Sequence, residues 1–316
     1  MSAQEKCTPI KFCLGTAQFG LNYGVANADG LLPEEAVCDI LEKAADLGVA
    51  CVDTARAYGV AEERLGRIFK EKTETLGHMT VITKLAPFPW LTDLMDDKNI
   101  VKAAVDSSIF QSCRELKVSK LEIVVLHRAS QLDTAVWDRL LELRTEGVVG
   151  KLGISAQNVE EAIKGLMNQD VKHLQIPLNL LDWRWRTPEF LEAVSKRRDV
   201  TIHCRSCVLQ GLLVNGAEKW PVIPGVNPTE MVNLLETLAQ KTGQGSRLKM
   251  CFAFVLSLPF VDAVVGGVDN IGQLVENVSL LEGCNMTEKQ RTLIETSFDE
   301  SNVPAQLLDP AQWPRK

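Results

Sequence analysis

A chain of 316 residues, 46% hydrophobic and 24% charged, carries enough apolar material for a large core. Its net charge of −7 argues against nucleic acid or an anionic membrane surface as the main partner, which leaves a small molecule as the expected one. Met1 to Cys7 show no apolar core or small-residue cleavage pattern, and nowhere do about 18 apolar residues run uninterrupted, so no membrane span and a cytoplasmic location are expected.

In chain order, Lys11 to Thr16 reads as a first strand, followed by the small-residue loop Gly15-Thr16-Ala17-Gln18-Phe19-Gly20. Val37, Ile40, Leu41, Ala44 and Leu47 then recur at helical spacing between Pro33 and Gly48. The apolar run 48–52 ends on Asp53 and precedes a helix near 61–70. Met79 to Thr83 runs into Lys84 ahead of a helix near 99–116, and Leu121 to Leu126 runs into His127 ahead of one near 134–145. Lys151 to Ile154, His173 to Ile176, Val200 to Cys204 and Val261 to Val265 read as four further strands, with helices near 159–167 and 271–281.

Strands alternating with helices imply right-handed crossovers and a parallel sheet, and eight such strands suit an α/β fold of the closed (β/α)8 TIM-barrel type as a single domain. A doubly wound sheet is the runner-up, but no G-x-G-x-x-G follows the first strand. Two stretches exceed a simple loop: the Gly- and Pro-rich Leu209 to Thr229, and the tail after about Ser297.

The nine cysteines are scattered, mostly within apolar runs, as free buried thiols are. Cys204-Arg205-Ser206-Cys207 has C-x-x-C spacing, but it follows a strand and has no second ligand pair, so no metal site is expected from it.

In a barrel the C-terminal strand ends share one mouth, so Asp53, Lys84 and His127 would meet there with Tyr58, which follows Asp53 by five residues. An ammonium beside a phenol stabilises the phenolate, and a carboxylate paired with the lysine keeps it charged and aimed. Such a tyrosine can protonate a carbonyl oxygen, and a histidine across the mouth can orient that oxygen. Singly, each residue has a plain structural reading: Asp53 as a helix cap, Lys84 as an ion-pair partner, His127 as a core histidine, Tyr58 as a rim aromatic.

These residues resemble the motifs of the aldo-keto reductases, with Leu14-Gly15-Thr16, Asp53-Thr54-Ala55, Tyr58-Gly59, Lys84, Leu126-His127-Arg128, Gly153-Ile154-Ser155, Gln175 and Gln273-Leu274 with Glu276-Asn277. The start Leu-Gly-Thr-Ala-Gln-Phe-Gly is most similar to a bacterial-type branch often found among sugar-modifying enzymes. The resemblance implies a (β/α)8 barrel that binds a nicotinamide cofactor without a Rossmann domain. It implies Tyr58 as general acid/base, Lys84 and Asp53 as its tuning pair, and His127 as the carbonyl-orienting group. For the cofactor it implies Gly15 and Thr16 at the first strand end, Ser155 and Gln175 at the carboxamide, and Ser206 at the pyrophosphate; Arg205 departs from the pattern, standing where many members stack a tyrosine on the nicotinamide, and can stack there through its planar guanidinium. It also implies Gly266-Gly267 at the phosphates, with Glu276 and Asn277 at the adenine.

Two departures stand out. Ala156 takes the place of the usual Asn after the serine, and the 2′-phosphate positions hold Gly267, Val268, Asp269 and Gln273 with no Lys or Arg. NADPH is the family default, and NADH is open because a carboxylate repels a phosphate and accepts from a free 2′-hydroxyl.

The expected substrate is a polar aldehyde or ketone, of which a sugar-derived carbonyl is one form. Arg56, Phe88, Trp90, Arg128 and Asp182-Trp183-Arg184-Trp185-Arg186 are rim candidates, the last run reading equally well as a structural loop. A monomer or small homo-oligomer is expected. Open alternatives are a cofactor-binding accessory subunit with little turnover, and a Schiff-base lysine at Lys84, against which the acid Asp53 argues.

Overall fold

The protein was analysed as a computed structural model that describes residues 10–22, 30–94 and 97–314. Eight strands, β1 (Phe12–Gly15), β2 (Cys51–Asp53), β3 (Thr80–Lys84), β4 (Leu121–Leu126), β5 (Val149–Ser155), β6 (Val171–Pro177), β7 (Thr201–Arg205) and β8 (Ala263–Gly267), pair in sequence order. Every pairing is parallel, and β8 pairs back onto β1 to close the barrel.

Helices fill the crossovers at the lengths their local signals set. Glu34–Asp46 stops before Gly48, whose φ of +77° suits glycine. Lys98–Leu116 starts from the Asp97 carboxylate, which accepts from the amides of Asn99 and Ile100. The helices Pro188–Ser195, Pro228–Lys241 and Arg247–Leu256 complete the crossovers around β7, and Glu288–Glu295 precedes the C-terminal segment. The stretch 209–229 thus carries short 3-10 turns ahead of an ordinary helix that starts from the Asn227 cap and Pro228.

Strand alternation sorts the side chains into two environments. Phe12, Leu14, Val52, Val124, Leu126, Leu152, Ile154, Leu174, Ile176, Ile202, Cys204 and Val264 pack with the helices in the main core. Their neighbours therefore face the barrel axis, where Cys13, Ile82 and Val125 form a separate small cluster with Cys51, Ile123 and Val265. The barrel interior is a packed column of side chains, and its last layer at the C-terminal end of the strands is polar.

Candidate active site

Inward positions at the C-terminal ends of the strands are Gly15, Asp53, Lys84, His127 (one residue past β4), Ser155, Gln175 (one inward position before Pro177, which ends β6), Arg205 and Gly267, a ring around the barrel mouth. Asp53 and Lys84 are 3% and 2% exposed, and the Lys84 ammonium donates to Asp53 Oδ1 at 2.5 Å and to the Thr54 carbonyl at 3.2 Å. Gln175 Nε2 donates to the other carboxylate oxygen at 2.8 Å, so both oxygens of Asp53 are bonded. Charge and hydrogen bonds are matched, which is the condition for keeping an ion pair inside a barrel.

The loop that carries Tyr58 is fixed from several sides. The Thr54 amide donates to Ile82 O and the Arg56 amide to Lys84 O, at 2.8 and 3.0 Å, extending the β2–β3 ladder past the strand ends. Arg56 pairs with Glu62 and Glu115, and the buried Glu62 also accepts from Thr83 and Ser112 at 2.6 and 3.1 Å. From the β1 side, the Thr16 amide and hydroxyl both donate to Asp53 O at 2.9 Å. Gly20 lies so close that a Cβ added to it would stand 1.8 Å from Tyr58 O and 2.5 Å from Ala61 N. Only glycine allows the first loop to seat the second there.

Tyr58 is thereby held with its ring centroid 5.2 Å from Lys84 Nζ and 6.3 Å from the His127 ring, the two rings edge to face. Burial works against the Lys84 ammonium, but Asp53 and Tyr58 outweigh it and raise its pKa above the ordinary lysine value. Lysine stays charged beside the phenol. His127 is driven the other way: burial, then Lys84, Arg128 and Arg205, lower its pKa to about 4. It is a neutral imidazole at physiological pH, and its buried Nδ1 has no hydrogen-bond partner.

The residues assigned to a cofactor lie at the ends of β1 and β5 to β8, in the loop after β7, and in the loop and helix after β8. Ser155 is buried at the end of β5, and Arg205 Nη2 donates to Ala156 O at 3.2 Å. Ser206, Leu209 and Gln210 hold φ of +63°, +47° and +55°, a run of left-handed non-glycine residues that marks this loop as strained. Beyond β8, Asn270 caps the helix Ile271–Glu282 by accepting from the Gln273 amide, while the Gln273 side chain accepts from the Asp269 amide at 2.8 Å. Glu276 is exposed and Asn277 half-buried on that helix. Thr16 and Gln175 both bond to Asp53, roles that their assignment to a cofactor did not anticipate.

Some rim candidates are committed elsewhere. Arg56 is bound to Glu62 and Glu115. Asp182 accepts both arms of Arg184 at 2.7 Å and the Trp185 indole at 3.0 Å, and Trp185 is 2% exposed. Trp183 donates to Val303 O at 3.1 Å, and Arg186 to Leu180 O, Glu295 O and Phe298 O. Of the two readings of that loop, the structural anchor holds. Cys207 and Cys204 are both buried, with Cys207 Sγ set 3.4 Å from Cys204 O. Trp90, 59% exposed, and the exposed Arg128 remain on the rim.

Comparison with known proteins agrees with this geometry. Residues 11–297 match the Aldo/keto reductase family. The chain belongs to that family.

Among aldo/keto reductase relatives it is 22% identical over 269 residues to the uncharacterized oxidoreductase YqkF of Bacillus subtilis, covering 79% of this chain and 84% of that one. It is 25% identical over 322 residues to the L-glyceraldehyde 3-phosphate reductase of Escherichia coli, covering 92% and 90%. The fold matches that of the aldo-keto reductase AKR11C1 from Bacillus halodurans in its holo form, with a TM-score of 0.71 and 20% identity over 95% of each chain. The protein is thus an aldo/keto reductase, an NAD(P)H-dependent enzyme of carbonyl reduction. Among its described residues no helix is long and apolar enough to cross a membrane.

Proposed function

We propose that this aldo/keto reductase reduces a small polar aldehyde or ketone, sugar-derived or bearing an anionic substituent, with Tyr58 as the proton donor. The observation that carries the reading is the convergence of Tyr58, Lys84 and His127 on one side of a buried, doubly bonded Asp53. Tyr58 gives its phenolic proton to the carbonyl oxygen, and the Lys84 ammonium stabilises the phenolate left behind. Asp53 and Gln175 keep that ammonium charged and in place. His127, neutral, offers one N–H to the same oxygen and fixes its position.

The residues present fit a dinucleotide. Gly15 and Gly267 let the ends of β1 and β8 approach closely, since a Cβ on Gly267 would lie 2.4 Å from the Gln18 side chain and one on Gly15 3.3 Å from the Gly267 amide, and neither puts a side chain into the mouth. Ser155, Gln175 and Arg205 would hold its nicotinamide end, Ser206 and Gly267 its phosphates, and Asp269, Gln273, Glu276 and Asn277 its adenosine. The bound cofactor supplies the hydride. Between Gly266 and Glu282 the chain has no Lys or Arg, and the acid Asp269 sits beside Gln273, which supports acceptance of NADH. For the substrate, Arg128 and Arg205 reach His127 electrostatically and give the mouth a cationic side in a chain of net charge −7, while Trp90 offers a face for a sugar ring.

The test follows cofactor oxidation with aldoses, phosphorylated aldoses and apolar ketones, for NADH and NADPH separately, on the wild type and Tyr58→Phe. Turnover that falls roughly 10²–10⁴-fold in Tyr58→Phe, with cofactor affinity intact, is the expected result. Wild-type rates in that variant would refute the role of Tyr58. Preference for apolar ketones would refute the substrate class, and much tighter NADPH binding the coenzyme reading.

A further inference from the structure

Directly beneath the ring of site residues, the next inward positions are Cys13 on β1, Cys51 on β2, His173 on β6 and His203 on β7. Cys13 Sγ, Cys51 Sγ and a His203 ring nitrogen lie within 4.8 Å of one another, forming the one group of three or more ligand-type side chains found among the described residues. The His173 ring stands edge to face with His203 at 4.6 Å between centroids. Cys13 and His173 are 0% and 1% exposed and His203 is 6% exposed, so this is barrel interior.

Polar groups at such depth are normally paired, because an unpaired one costs about 1–3 kcal/mol. Here both nitrogens of His173 and Nδ1 of His203 are buried without a hydrogen-bond partner. Imidazole nitrogens and thiols gathered in this way match the donor set of a soft divalent ion. From this geometry we propose that Cys13, Cys51 and His203 form a binding site for a thiophilic divalent cation of the zinc class in the centre of the barrel, which His173, outside that 4.8 Å group but packed against His203, completes as fourth donor by a turn of its ring.

Several observations favour that occupant. In a tetrahedral zinc site, Zn–S and Zn–N bonds of about 2.3 and 2.0 Å place the donor atoms about 3.3–3.8 Å apart, so the observed separations close by side-chain adjustment of about 1 Å. Charge balances as well. The ion displaces one proton from each thiol, so a divalent cation, two thiolates and neutral imidazoles sum to zero in a region that tolerates no net charge. Harder ions such as magnesium and calcium would find no oxygen ligand among these four side chains. Cys51 is only half-buried, the most exposed of the four.

No spacing in the sequence announces the site, because its ligands come from four strands and meet only when the barrel closes.

The experiment uses the full chain, reduced and stripped with a chelator, then titrated with Co2+ and subsequently with Zn2+. One Co2+ per chain is expected, with a near-ultraviolet thiolate-to-cobalt charge-transfer band and tetrahedral visible bands. Two protons should be released per ion, and Zn2+ should displace the colour. Cys13→Ser, Cys51→Ser and His203→Leu should each weaken binding on the order of 100-fold or more, while Cys113→Ser, at a distant buried thiol, should leave it unchanged. A charge-transfer band that survives in the folded Cys13→Ser/Cys51→Ser chain would overturn the site, as would cobalt spectra without thiolate character in the wild type. Should the variants fail to fold, alkylation of wild-type Cys51 decides: Zn2+ must protect it at one equivalent, and an unprotected Cys51 refutes the proposal.

Discussion

Replacing Lys84 with Met separates what the ion pair does for the fold from what it does for the chemistry. The change removes the donor 2.5 Å from Asp53 Oδ1 and leaves a carboxylate that is 3% exposed with Gln175 as its remaining side-chain partner. Breaking a buried pair from one side costs about 3–5 kcal/mol, because the orphaned charge stays in a low-dielectric site. Lys84→Met/Asp53→Asn removes the orphaned charge and should recover most of the loss, a coupling of about 2–4 kcal/mol. Urea unfolding of the wild type, both single variants and the double variant reads the coupling out. Additive losses would refute the reasoning. Turnover should stay depressed in the double variant, since the phenolate of Tyr58 has no cation beside it in either case.

His127, with its pKa depressed to about 4, keeps kcat/KM free of an acid limb near pH 6.5; a limb there would show an ordinary, solvated imidazole. The same depression means stability present above pH 6.5 and lost as pH falls toward about 4, a loss that His127→Leu should flatten in acid-unfolding curves. Gly20→Ala must push the Tyr58 loop away, because its Cβ would stand 1.8 Å from Tyr58 O; kcat should fall at least about 10-fold and stability by about 1–3 kcal/mol. A variant with wild-type kcat would show that the loop is not seated there. Asp182→Asn, which loses the charge held by both arms of Arg184, should cost about 2–3 kcal/mol of stability and leave KM for small carbonyls unchanged; a raised KM would return that loop to the substrate rim.

The barrel was legible because each strand is a short apolar run closed by a turn and followed by a 3.6-residue pattern, and because Asp53, Lys84 and His127 punctuate three of the runs. Alternation then places Ser155, Gln175, Arg205 and Gly267 in the same ring. Less accessible was what holds the ring together. Nothing local marks Gly20 as the point where two loops touch, or Thr16 as a double donor to Asp53 O, since both depend on residues more than 30 positions away. The helix Pro228–Lys241 carried its signal in Asn227 and Pro228 but was masked by the Gly- and Pro-rich run before it. The Trp and Arg side chains at 183–186 look the same in sequence whether they face a ligand or backbone carbonyls, and only tertiary contacts decide between the two.

Those contacts tie distant parts of the chain together. Trp183 and Arg186 are satisfied by the carbonyls of Glu295, Phe298 and Val303, partners 109 to 120 positions away. The loop after β6 therefore behaves as a latch that stays open until the final segment arrives. A fragment ending before Glu295 would retain all eight strands yet leave the Trp183 indole and one arm of the Arg186 guanidinium without these acceptors. The barrel wall closes at β8, but the packing of the loop after β6 is in this way made conditional on the segment from Glu295 to Val303.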